Sequence, residues 1–137
     1  TGKICVIGTK VNKEMLAKMN GIVHPAVKEY IKKAIKREEE NETNIFIVEA
    51  ALLIEDKYDE ICDELWYIYA DEETRMERLK QNRGYSEEKC RSIFRNQLSE
   101  DEFSNHCDFE IDNSDDFEKT KEQIQQKMQR MQIDEVM

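Results

Sequence analysis

Leu65-Trp-Tyr-Ile-Tyr69 runs almost directly into Asp71-Glu-Glu-Thr-Arg-Met-Glu-Arg-Leu-Lys80, and this junction decides the fold. The first segment is a continuous apolar and aromatic run, too short for a helix and suited to a strand buried on both faces of a parallel sheet. Asp71 then offers an N-cap carboxylate, so a helix is predicted over 71–82. Ser86 caps a second predicted helix over 86–98, and Gly84 separates the two. Ser99-Glu-Asp-Glu102 has the spacing of a capping box for one more short helix. Phe109-Glu-Ile-Asp112 reads as a last strand, and 115–132 as a terminal helix carrying Phe117, Ile124, Met128 and Met131.

Toward the N-terminus, Asn44-Ile-Phe-Ile-Val48 is a second continuous apolar run, expected to be a strand. A crossover's length of chain lies between it and Leu65. Pro25 suits the first position of a helix whose stripe is Val27, Tyr30, Ile31, Ala34 and Ile35. A shorter helix is expected over 12–20, with Met15, Leu16 and Met19, and Lys3-Ile-Cys-Val-Ile-Gly8 reads as a short strand. Strands alternating with helices predict an α/β fold with a parallel sheet. No repeat and no Pro/Gly/Ser-rich linker interrupts the chain, so residues 1–137 are expected to form one domain.

Lys and Arg number 21 against 31 Asp and Glu, a formal charge of −10. Nucleic acids and anionic membranes attract the opposite sign and are not expected partners. The longest nearly apolar run, Ile45 to Ile54, contains Glu49, and the N-terminus lacks the series of a secretory signal. A cytoplasmic protein is expected. Cys5, Cys62, Cys90 and Cys107 include no pair at zinc-ligand spacing, so neither a zinc nucleus nor a disulfide framework is predicted.

Enzymes on parallel sheets work at the carboxyl ends of the strands. Glu49 follows the expected strand 44–48 and is either a site carboxylate or a charge that favours a helix start. Asp112-Asn113-Ser114 follows the last strand; Asn113 has the donor and acceptor that read a base edge, and is equally a good turn residue. His24 precedes Pro25 as a catalyst or a helix-start packing residue. Residues 75–95 hold seven basic side chains against three carboxylates, a positive island on a negative chain. Guanidinium groups grip phosphate oxygens bidentately, so the island suggests an anionic ligand, with a solvated, ion-paired helix pair as the plainer reading. Arg78 and Arg83 flank its glycine turn, where a mobile cap over phosphates would sit. None of Gly2, Gly8, Gly21 and Gly84 gives the G-x-x-x-x-G-K-[ST] spacing of a Walker A phosphate loop.

Taken in order, these segments resemble the dephospho-CoA kinase family. Asn20-Gly-Ile-Val-His-Pro25 resembles the family's N-x-I-x-H-P. Val48-Glu-Ala-Ala-Leu-Leu-Ile-Glu55 resembles its V-[DE]-x-P-L-L-x-E, with Ala51 where proline is usual. Arg78-Leu79 and Arg83-Gly-Tyr-Ser86 resemble its lid, Gln97 falls where a glutamine closes the lid's second helix, and Cys107-Asp-Phe-Glu-Ile-Asp-Asn113 resembles A-D-x-V-I-x-N. The resemblance spans about residues 12–132 and implies a parallel-sheet P-loop kinase-like fold, truncated or degenerate at its N-terminal side. In it, 12–42 would be a helical substrate region and 71–98 the lid. The implied reaction moves the γ-phosphoryl of ATP, with Mg²⁺, to the ribose 3′-hydroxyl of dephospho-CoA.

By that resemblance Arg83 and then Arg78 contact the triphosphate as catalytic residues, and Asn113 contacts adenine. His24, Glu49 and Leu53 line the dephospho-CoA side, and Gln97 braces the lid. The family's Walker A loop, its first strand and the aspartate-bearing strand end that follows have no counterpart here, so the principal magnesium ligands would lie outside this chain and these residues alone are expected to be inactive. A fragment, a paralogue without the loop, and a chain whose residues 3–8 stand as the first strand all fit. The alternatives to a kinase are a non-catalytic CoA- or nucleotide-binding paralogue and a structural, self-associating α/β domain.

Overall fold

The computed structural model describes residues 13–136, with side chains as far as Met131. The strand expected at residues 3–8 lies outside the described residues. The chain divides after Asp56 into two compact units.

The first unit is dominated by one helix, α1 (Lys13–Glu40), in which Pro25 is internal. The two helices expected on either side of that proline are therefore continuous. Proline lacks the N–H that would bond the Gly21 carbonyl, yet its fixed φ is itself helical, and the long helical runs before and after it carry the chain through. No residue of α1 is buried; of the stripe expected to face a core, Val27 and Tyr30 are exposed, Tyr30 at 72%, and Ile31, Ala34 and Ile35 are half-buried. Glu42 adopts a left-handed φ of 59° that turns the chain off the helix. Thr43 then returns to Glu38, its N–H to the carbonyl at 3.0 Å and its hydroxyl to the carboxylate at 2.7 Å.

Asn44–Val48, expected as a strand, forms none. A strand exists only through a neighbour's ladder, and among the described residues no strand pairs with this run; Ile47 is 82% exposed. A series of turns over 51–57 closes the unit, with the Asp56 N–H bonded to the Leu52 carbonyl at 3.0 Å.

The second unit opens with a 3-10 turn at Tyr58–Glu60 and continues as β1 (Trp66–Tyr69), α2 (Glu72–Arg83), α3 (Glu87–Arg95), α4 (Glu100–His106), β2 (Phe109–Asp112) and α5 (Phe117–Val136). The order is the one expected, because each helix start carries its own signal. Asp71, Ser86 and Ser99 all cap as read, their side chains accepting the N–H groups of Thr74, Lys89 and Glu102, and Ser99 with Glu102 completes the capping box. Gly84, at φ 62°, ends α2 in the left-handed conformation that a glycine adopts without penalty.

β1 and β2 pair in parallel, with Trp66 opposite Phe109, Tyr67 opposite Glu110, Ile68 opposite Ile111 and Tyr69 opposite Asp112. Alternation puts Trp66, Ile68, Phe109 and Ile111 on one face and the tyrosines on the other. On the first face α5 packs on β2, the Lys127 ammonium lies 5.0 Å from the Phe109 ring centroid, and Trp66 meets Phe109 edge-on at 5.5 Å. On the second, Phe103 of α4 stacks on Tyr67 at 4.8 Å. Helices thus lie on both faces of a parallel pair, the layering of an α/β fold. Ile111 and Cys90 are fully buried, with Leu65 and Tyr58 nearly so.

Register partners Ile68 and Ile111 differ sharply in exposure, 51% against 0%. Ile111→Ala is expected to lower the unfolding free energy by about 2–5 kcal/mol, the cost of a core truncation. Ile68→Ala on the same face should cost under about 1 kcal/mol. Urea denaturation of both variants checks the pair, and equal losses would contradict the described packing.

Candidate functional site

The carboxyl ends of β1 and β2 are held together by backbone and side-chain hydrogen bonds. The Asn113 N–H donates to the Tyr69 carbonyl at 2.6 Å, continuing the ladder one residue past Asp112. The Asp71 N–H donates to the Ser114 hydroxyl at 2.8 Å, and the Ser114 N–H to the Asp112 carboxylate at 2.9 Å. The Asn113 side-chain oxygen accepts from the buried Thr120 hydroxyl at 2.8 Å, which fixes the amide against α5. That bond uses the side-chain oxygen and leaves the amide NH₂ as a donor.

One arginine of α2 reaches this edge. Arg78 donates to the Asp115 carbonyl at 3.3 Å, so its guanidinium is tied to the loop that follows β2. Asp71 is held below the usual carboxylate range, first by the N–H and hydroxyl of Thr74 and further by Ser114 and Arg78. The Tyr85 phenol is held below its ordinary range, first by the Arg83 guanidinium from the last turn of α2, with the Lys89 ammonium, 3.8 Å from the ring centroid, adding to the effect. Part of the positive island is spent within the helix pair, since Glu87 takes Arg91 at 2.8 Å and Lys80 at 3.6 Å.

Gln97 follows α3 and accepts from Arg75 at 3.2 Å, while the Arg75 guanidinium lies 4.5 Å from the Phe94 ring centroid. The Arg75 Nε is buried without a hydrogen bond. Arg75 thus links α2 to α3, a role its position within a run of similar arginines does not reveal. Ser114 was legible only as part of a turn triplet.

His24, Glu49 and Leu53 belong to the first unit. His24 lines an open groove on α1 with Asn20, Lys28, Lys32 and Asp56, and its Nδ1 lies 3.1 Å from the Asp56 carboxylate. Asp56 is 32 positions away in sequence, so no local pattern signals the pair. Glu49 is exposed and, with no strand before it, is not at a strand's carboxyl end as expected; Leu53 is half-buried in the turns that follow. Burial, chiefly, pushes the thiols of Cys62 and Cys107 up, with Asp63 and Asp108 adding to it, which keeps both protonated and unreactive at neutral pH. Among the described residues no group of His, Cys, Asp and Glu could hold a metal ion, and no helix is long and apolar enough to cross a membrane.

Parallel strands flanked by helices on both faces define an α/β domain of the parallel-sheet class. The solved structure of TT1252 from Thermus thermophilus shares the fold, with a TM-score of 0.68 over 87% of this chain and 61% of that one at 20% identity. A family model described as dephospho-CoA kinase matches residues 9–119, and the chain belongs to the dephospho-CoA kinase family. Among curated relatives, the dephospho-CoA kinase of Carboxydothermus hydrogenoformans is 34% identical over 82% of this chain and 55% of its own length. That of Listeria monocytogenes is 30% identical over 82% of this chain and 56% of its own length. The chain therefore spans about half the length of these relatives.

The Asp71 cap generates a pH prediction. A carboxyl held below its unfolded value adds stability that is present above that value and lost as pH falls through the folded one. Asp71→Asn preserves the cap and removes the titration. Its melting temperature is expected to fall less than that of the parent chain below about pH 4, as thermal denaturation across acid pH would show; parallel curves would contradict the Asp71 assignment.

Proposed function

We propose that this chain serves ATP-dependent phosphorylation of dephospho-CoA, the reaction its family's name describes. The observation that carries this reading is the family match over residues 9–119 combined with the Arg78 guanidinium at the loop that follows β2. In the transfer, the ribose 3′-oxygen bonds the γ-phosphorus of ATP as the oxygen bridging to ADP leaves, and the hydroxyl proton is released. Such a step is mostly positioning and charge stabilisation. Arg83 and Arg78 supply positive charge to the phosphoryl oxygens, and the Asn113 amide faces the adenine edge. Gln97, through Arg75, keeps α3 against α2. His24, Leu53 and Glu49 serve the dephospho-CoA side. Magnesium, when bound with ATP, neutralises phosphate oxygens; no described residue is assigned to it. The cytoplasm is the compartment this reading proposes, with dephospho-CoA and ATP as the small-molecule partners.

These 137 residues contain no Walker A loop, and that loop supplies the converging N–H groups that cradle the triphosphate. The proposal therefore separates binding from turnover: the chain alone binds dephospho-CoA and releases no ADP. Calorimetric titration with dephospho-CoA and with ATP–Mg²⁺, beside a coupled ADP assay, tests both halves. ADP release above background would overturn the inactivity, and absent dephospho-CoA binding the substrate reading. Where ATP affinity is measurable, Arg83→Ala should weaken it by about 1–3 kcal/mol, the scale of a charge-assisted hydrogen bond. Asn113→Ala should narrow the preference for ATP over GTP, and an unaltered ratio would count against the adenine contact.

A further inference from the structure

We propose that Asp56 is a positioning residue that selects the tautomer of His24, and that their groove on α1 takes a ligand carrying both an anionic group and a hydrogen-bond donor. The inference deepens, and rests on, the reading of His24 as a substrate contact.

Asn20, His24, Lys28 and Lys32 recur every fourth residue and so form one row along α1. They line the same open groove as Glu29 and Asp56. Two ammonium groups on one face attract an anion. Lys32 meets Glu29 at 3.6 Å, but both side chains are more than half exposed. An exposed pair of this kind contributes little and yields readily to a stronger partner.

The imidazole at the head of the row is not free to choose its protonation pattern. Both oxygens of Asp56 lie 3.1 Å from Nδ1. A carboxylate only accepts, so Nδ1 carries the proton. In a free neutral histidine the proton prefers Nε2, and Asp56 reverses that preference. With Nδ1–H committed, the neutral ring presents Nε2 as an acceptor, and no described residue donates to it. Asp56 is itself held by the turn that bonds its N–H to the Leu52 carbonyl. The groove thus combines cationic side chains with one oriented acceptor. A matching ligand has phosphate oxygens for the lysines and a hydroxyl or amide N–H for Nε2. Dephospho-CoA has both, whereas trimetaphosphate, fully ionised at mildly alkaline pH, has only the first.

The test is nitrogen-15 NMR of the His24 ring at about pH 8.5, where an ordinary histidine is neutral, together with titrations of the two probes. The parent chain should show Nδ1–H, and Asp56→Ala should shift the ring to mainly Nε2–H. Asp56→Ala should weaken dephospho-CoA about five- to tenfold, the scale of one hydrogen bond, and leave trimetaphosphate affinity within about twofold. His24→Gln brings an amide to the Nε2 position without help from Asp56. In that background, adding Asp56→Ala should change dephospho-CoA affinity by less than about twofold, as expected when the two residues act through one contact. An Nε2–H ring in the parent chain, or an Asp56→Ala chain with unchanged tautomer, would overturn the positioning role. Equal losses for both probes would overturn the oriented acceptor. A tautomer switch in a chain that binds trimetaphosphate but not dephospho-CoA supports the positioning role and overturns the substrate reading.

Discussion

Two parallel strands have no hairpin to join them, so the second unit depends on how the ends of β1 and β2 are tied. At the start, the Leu65 N–H donates to the Asp108 carboxylate at 2.8 Å, and the Asp108 N–H returns to the Leu65 carbonyl at 2.8 Å. At the finish, Asn113 bonds Tyr69 and Ser114 bonds Asp71. Between these knots the ladder is only four residues long. Side-chain hydrogen bonds at both ends do for this pair what a tight turn does for an antiparallel one. Removing the Asp108 carboxylate would leave a buried backbone donor at the threshold of the ladder.

The same knot determines where chemistry is possible. Because Asp71 both bonds Ser114 and caps α2, the helix begins at the strand's carboxyl end, and Arg75 and Arg78 follow on its first turns. Arg78 then spans to Asp115 on the loop after β2. Asn113 is held between that loop and α5 through Thr120. Rigid strand ends with cationic side chains over them suit phosphate chemistry, which depends on placing charge more than on making bonds. The α2–α3 connection is different in character. It turns on Gly84, and Arg83 beside it is exposed.

The first unit shows the opposite balance. α1 buries nothing, and apolar residues such as Ile22 and Ile47 face outward. Among its described residues, the side-chain hydrogen bond that spans the most sequence is His24–Asp56. Isolated helical propensity and a few such bonds hold its shape, so the specificity of this unit lies in the row of side chains on α1 rather than in a packed core.

What the sequence determined by itself is local. Asp71, Ser86, Ser99 and Glu102 cap their helices because a cap is an exchange between neighbours three residues apart, and Gly84 ends α2 because only the local φ matters. The strands at 66–69 and 109–112 were legible from short apolar or alternating runs, and alternation with helices gave their parallel sense. Asn44–Val48 had the same composition as β1 and failed, because a strand needs a partner and composition does not supply one. Pro25 marked a helix start by propensity, but helix on both sides of it prevailed. Arg78, Arg83, Asn113 and His24 could be named from pattern. Asp56 beside His24, Arg75 beneath Gln97 and Ser114 against Asp71 could not, because each pair joins residues 22 to 43 positions apart. Only the folded chain brings such groups within hydrogen-bonding distance, because local sequence pattern carries no information about partners that distant along the chain.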